Sequence, residues 1–118
     1  MQENFKMYIL INQDLKIDKV RLANQVGSAV ALYFHKAYKN NDEGQIELID
    51  KFMKSQDKAL LEVPKIFLEA LESKHISVRD RKLIGIDPNS LICVNLGILD
   101  ENNIPKEYEF IKGLRAFS

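Results

Sequence analysis

A chain of 118 residues, 46% apolar and 29% charged, has the length and composition of one globular domain able to bury a real core. Its 17 basic and 17 acidic side chains cancel to zero formal net charge, which excludes the general excess of Lys and Arg of a dedicated nucleic-acid binder and leaves only a local patch for any RNA contact. The single cysteine, Cys93, excludes an intramolecular disulfide and a cysteine-based metal site; no apolar run reaches the ~20 residues of a membrane span, and MQENFK has no signal-peptide core, so a cytoplasmic protein with no metal, cofactor or membrane partner is expected.

KMYILIN, 6 to 12, reads as a buried strand ending at Asn12. QDLKID, 13 to 18, is a polar connection in which Asp18 can cap a helix from Lys19 to about Lys39, stopped by NNDEG. On that helix Ala23, Val26, Val30, Phe34 and Ala37 share a face, with Leu22, Ala29 and Tyr33 beside it, and Gly27 and Ala31 permit close approach. Arg21, Gln25, Ser28 and His35 fall along another stripe. EGQIELIDKFMKSQ, 43 to 56, places Ile46, Ile49 and Met53 at helical spacing, with Leu48 and Phe52 adjoining.

KALLEV, 58 to 63, is a short strand, and Pro64 suits the first turn of a helix to about Lys74 that buries Ile66, Phe67, Ala70 and Leu71. HISVRDR, 75 to 81, alternates like a strand with His75 at its start, at the far edge of the sheet. KLIGIDPNS, 82 to 90, is a loop, and LICVNLGIL, 91 to 99, is the most apolar run, a central strand burying Cys93 and Val94. After the turn DENNIP, Pro105 opens a final helix to about Lys112. The order β-α-α-β-α-β-β-α predicts a single α/β layered domain: a mixed, roughly four-stranded sheet with helices on both faces.

In such sheets sites gather where loops leave the carboxyl ends of parallel strands. Those loops are 12 to 19 and 80 to 90, and both are basic: Lys16, Lys19 and Arg21 belong to the first, Arg79, Arg81 and Lys82 to the second. An anion site, such as one for phosphate, is one reading. Solvated charge is the other, because Asp14, Asp18, Asp80 and Asp87 are interleaved.

The run KMYILINQDLKIDKVRLANQ resembles the opening of type-II peptidyl-tRNA hydrolases: a hydrophobic strand, then Asp-Leu-Lys-Met, Gly-Lys-Gly-Lys, and Ala-Ala-Gln-Cys-x-His on the first helix. Asp14, Leu15, Lys16, Lys19, Ala23 and Gln25 match, with Ile17 for Met and Arg21 for the second lysine. Downstream, DRKLIGIDPNS keeps Asp80, Ile86, Pro88 and Ser90 of the pattern Asp-x-Gly-x-Thr-x-Ile-x-Pro-x-Ser, and Gly97 and Gly113 fall where the family has glycine. The resemblance implies hydrolysis of the ester joining a peptide to the 3′-terminal ribose of tRNA. It makes Lys19 and Asp80 the candidate catalytic pair, binding and orienting water. It also gives Lys16, Arg21, Gln25, Arg81 and Lys82 to substrate contacts.

The departures fall at the chemistry. The family's helix histidine falls at Ser28, its loop threonine at Ile84 and its loop glycine at Lys82. Ester hydrolysis needs an activated water, a stabilised oxyanion and a proton for the leaving oxygen. A serine without a partner base supplies none of these, so Ser28 marks an altered catalytic position rather than an active nucleophile. A divergent hydrolase, a non-catalytic module for RNA, nucleotide or another phosphate-bearing ligand, and a protein-interaction domain all remain compatible with these residues, as does a homodimer formed through the 43–56 helix.

Overall fold

The computed structural model describes residues 3–80 and 90–117. The apolar opening run forms β1 (Phe5–Asn12), followed by α1 (Lys19–Lys39), α2 (Glu43–Phe52), β2 (Lys58–Val63), α3 (Lys65–Glu72), β3 (Ile76–Asp80), β4 (Ser90–Asp100) and a 3-10 helix, Lys106–Gly113. The strands make one sheet in the order β2-β1-β4-β3. β1 is parallel to β2, and β4 is antiparallel to both β1 and β3. The sheet is therefore mixed and four-stranded, as expected, with β1 and β4 in its centre. Both are apolar on both faces because both faces are covered: Met7 to Ile11 and Leu91 to Val94 are buried without a break.

On one face Met7, Ile9, Ile11, Ile92, Cys93 and Ile98 pack against Leu22, Val26, Ala29 and Ala37 of α1 and Ile49 and Phe52 of α2. On the other, Tyr8, Leu10, Val63, Leu91, Val94 and Leu96 meet Leu68 of α3 and Ile111 of the 3-10 helix. A register shift between Tyr8 and Ile9 bends the β1–β4 ladder at Gly97. Gly97 takes φ +97°, and a Cβ there would lie 3.1 Å from the Tyr33 ring. A left-handed backbone under an aromatic ring leaves room for glycine alone. No helix among the described residues is long and apolar enough to cross a membrane.

Five helical expectations need correction. α2 stops at Phe52, so Met53 is its C-cap and 46% exposed rather than part of a buried face; Gln56 then turns the chain with φ +58°. Pro64 is not in the first turn of α3 but is its N-cap, with extended ψ 148°. The face that α3 buries is that of Leu68, while Ile66 is 81% exposed and Phe67 and Ala70 also face outward. The last helix is 3-10 rather than α, starting after Pro105. Its apolar residues Tyr108, Ile111 and Leu114 pack on the sheet at a spacing of three, the period of a 3-10 helix. On α1, Gly27 permits no close approach: nothing lies within 4 Å of its missing Cβ, and Ala23 and Ala31 are exposed.

The chain does not end at that helix. Leu61 and Ala116 form an antiparallel bridge. Glu62 N–H donates to the Arg115 carbonyl and Phe117 N–H to that of Leu60, both at 2.8 Å. The tail thus covers the outer edge of β2, which would otherwise offer unpaired backbone groups.

Candidate functional site

β1, β2 and β3 run the same way, so Asn12, Val63 and Asp80 end at one side of the sheet, where β4 begins at Ser90. The loop 13–18 that leaves β1 there is pinned at several points. Asn12 is buried, its Nδ2 donating to the Leu91 carbonyl at 2.9 Å and its Oδ1 accepting from Asp14 N–H at 2.9 Å. Gln13 N–H donates to the Val63 carbonyl at 2.9 Å. Asp14 Oδ2 accepts from Lys65 N–H at 2.8 Å, which supplies the start of α3 with the carboxylate that Pro64 lacks. Asp18 is the N-cap of α1, accepting from Arg21 N–H at 2.9 Å. Two acids that compete with the basic residues in the sequence are therefore helix-capping groups. Lys16, Lys19 and Arg21 remain exposed, with Arg21 Nε 3.4 Å from Asp18.

Lys19 borders an apolar groove of about 510 Å³ between α1 and the β2 edge, floored by Leu22, Val26, Leu60 and Phe117 and closed at its other end by Lys58. The unfilled flank of Gly27 opens onto it. Asp80 ends β3, the opposite edge strand, with its backbone paired to Ser90. Three strand spacings, about 14 Å, separate the two edges. Lys19 and Asp80 thus share an end of the sheet, with Lys19 bordering a groove on the β2 side. Arg81 and Lys82, with Ile84 and the rest of 81–89, lie outside the described residues.

Ser28 is half-buried on α1, and its Oγ donates to the Asn24 carbonyl at 3.4 Å, one turn back along its own helix. Such a bond is local helix satisfaction, with no general base in it. His35 lies further along the helix, exposed. Gln25 is half-buried on the same stripe. Cys93 offers no alternative nucleophile, because it is fully buried and burial pushes its thiol up to about 12. Arg79, counted among the basic residues of the second loop, is drawn away by Glu72, with Nε and Nη2 each 2.6 Å from a carboxylate oxygen.

Sequence reasoning missed Asn12 and Asn95. Asn95 is buried in β4, donating to the Ala29 carbonyl at 3.1 Å and accepting from Gly97 N–H at 2.8 Å, and so fastens α1 to the sheet. The signal was present: one asparagine in each of two otherwise apolar strands, where a buried amide must find partners.

The arrangement is thus a hydrogen-bonded loop and the start of α1, which together leave Lys16, Lys19 and Arg21 exposed beside the carboxyl ends of three co-directional strands. Among known proteins, no curated sequence matches the chain. The family model for peptidyl-tRNA hydrolase PTH2 matches residues 5–112, which run from the first residue of β1 into the 3-10 helix and include every strand of the sheet. With the expected mixed sheet and most of the chain inside that match, this chain belongs to the PTH2 peptidyl-tRNA hydrolase family.

Proposed function

We propose that this chain binds the 3′ end of peptidyl-tRNA and cleaves its ester at a rate lowered by the change at Ser28. The observation that carries this reading is the Ser28 hydroxyl itself. It occupies the family's histidine position and bonds back to Asn24 rather than to a base. Lys16, Arg21, Gln25, Arg81 and Lys82 contact the nucleotide, while Lys19 and Asp80, the ionisable pair that matches the family pattern at this end of the sheet, act on the attacking water. Water adds to the ester carbonyl, the carbon–oxygen bond to ribose breaks, and a proton passes to the ribose oxygen. The pinning of loop 13–18 by Asn12, Asp14 and Asp18 supports this role, because orientation by fixed groups supplies much of such a reaction's rate. The apolar groove beside Lys19 gives the peptide portion a surface to lie on.

Loss of a positioned general acid or base costs about 10²–10⁴-fold in rate. Turnover of N-blocked aminoacyl-tRNA should therefore be slow, and Ser28→His should raise it by about tenfold or more if the remaining geometry is that of a hydrolase. Lys19→Ala and Asp80→Ala should abolish what turnover there is. Rapid turnover by the unaltered protein would show that Ser28 is no defect. An absence of turnover, of binding at low salt and of any response to Ser28→His would leave a protein-interaction domain on this scaffold.

A further inference from the structure

At the other end of the sheet the strands are unequal. β4 runs eleven residues and β3 only five. Their pairing begins at Ile76 and Asn95, so Leu96 to Asp100 have no β3 partner. A cavity of about 260 Å³ fills the notch that this leaves. Tyr33 and Lys36 of α1 wall it from one face of the sheet, Tyr108 of the 3-10 helix from the other, and Lys74 and His75 from the turn ahead of β3. The cavity lies about 25 Å along α1 from Lys19, at 1.5 Å per residue, and shares no lining residue with the Lys19 groove.

Two kinds of surface meet in it. Ala37, Leu96 and the rings of Tyr33 and Tyr108 are apolar. The His75 ring stands 5.8 Å from that of Tyr108 at 57°, a tilted pair in the lining. Beside them stand the ammonium groups of Lys36 and Lys74, neither of which makes an ion pair among the described residues. Of the nearby carboxylates, Asp42 is engaged as the N-cap of α2, accepting from Gln45 N–H at 3.2 Å. Glu107 acts on His75 from the 3-10 helix. Tyr33 is already committed through its hydroxyl to Gln45, so its ring is held in place.

We propose that this notch is a second binding site, separate from the hydrolase end, for a small phosphate monoester carried on a flat apolar body. Lys36, Lys74 and the Asn40 amide hold the phosphate, and the Tyr108 and His75 rings hold the body. Lysines without an ion pair among the described residues, beside ring faces, suit a compact anion with a flat body, because the anion gains two ammonium partners while the rings bury apolar surface. A cavity of this size lies below the roughly 300–1,000 Å³ of drug-sized ligands, which points to a metabolite-sized one.

His75 reports on occupancy. Burial holds its imidazole below the usual histidine range, Lys36 and Lys74 add to that, and Glu107 opposes it. A dianion placed between the lysines cancels their effect, so His75 should take up a proton at higher pH when the site is filled. The chain has two histidines, and exposed His35 on α1 serves as the internal control.

The experiment is an NMR titration of both imidazoles with phenyl phosphate on the full chain. Saturable shifts at His75, a raised His75 pKa and an unmoved His35 are expected. Lys36→Gln/Lys74→Gln exchanges two exposed side chains and should weaken binding by about tenfold or more. Benzoate and inorganic phosphate are the comparison arms, and both should bind more weakly than phenyl phosphate. Equal shifts at both histidines, no saturation at millimolar phenyl phosphate, or unchanged affinity in the double variant would overturn the site. Inorganic phosphate or benzoate binding as tightly as phenyl phosphate would overturn the assigned ligand class.

Discussion

Glu72 and Arg79 meet through two contacts of 2.6 Å, each side chain about a quarter to a third exposed. The pair ties the last residue of α3 to β3 one position before Asp80. Arg79 holds the Glu72 carboxyl below the usual carboxylate range, with partial burial opposing and Ser77 assisting. A depressed carboxyl stabilises the fold at pH values above its unfolded value, and that stability is lost as pH falls through the lowered folded value. Glu72→Gln should cost about 1 kcal/mol at neutral pH. In urea unfolding, the gap from the unaltered protein should shrink on going to about pH 3, below the ordinary glutamate range; an equal gap at both pH values would assign the cost to packing. Single residues of this kind were only partly legible. Asp18 was readable as a cap because its partner lies three residues on, whereas Asp14 caps a helix 51 residues away. No local pattern announces a bond that only the fold creates.

Among the elements, α3 shows why periodicity alone was insufficient. In KIFLEALE, Ile66 and Ala70 make one stripe and Leu68 and Leu71 another, and both satisfy helical spacing. The extended ψ of Pro64 and the Asp14 contact set the angle at which the helix starts, and that angle turns Leu68 inward. Leu68→Ala should therefore cost about 2–5 kcal/mol, as expected for a fully buried leucine. Ile66→Ala should change stability by less than about 0.5 kcal/mol, being on the surface. Thermal or urea unfolding of the two variants separates the faces, and a reversed order would place α3 with its other side on the sheet. The strands were far more legible than the helices. The apolar runs of β1 and β4 are buried on both sides, so no choice of face had to be made there, and β1, β2 and β4 begin and end within one residue of the expected positions.

For the whole molecule, zero net charge and a basic loop pull in different directions. With 17 positive and 17 negative side chains, long-range attraction to RNA is weak, and affinity must come from the few cations that the fold leaves outward at the carboxyl end of the sheet. The order of elements and the family's matching residues made that end legible. Which of its charges are spoken for was not legible, since Arg79 turns to Glu72 and Arg21 lies beside Asp18. Lys16 and Lys19, with Arg21 in part, are what loop 13–21 offers. Each phosphate neutralised on a single strand contributes a slope of about −0.7 in log affinity against log salt, so two or three contacts from this loop give about −1.4 to −2.1. Binding of a single-stranded tRNA 3′ end, followed by fluorescence anisotropy across a salt series, should show a slope in that range or modestly steeper where Arg81 and Lys82 contribute. Lys16→Ala should make it shallower by about 0.7 while leaving the fold intact, because Lys16 is exposed and makes no ion pair among the described residues. A slope near zero, with Lys16→Ala without effect, would remove phosphate recognition from this loop and with it the physical basis for placing the tRNA end there.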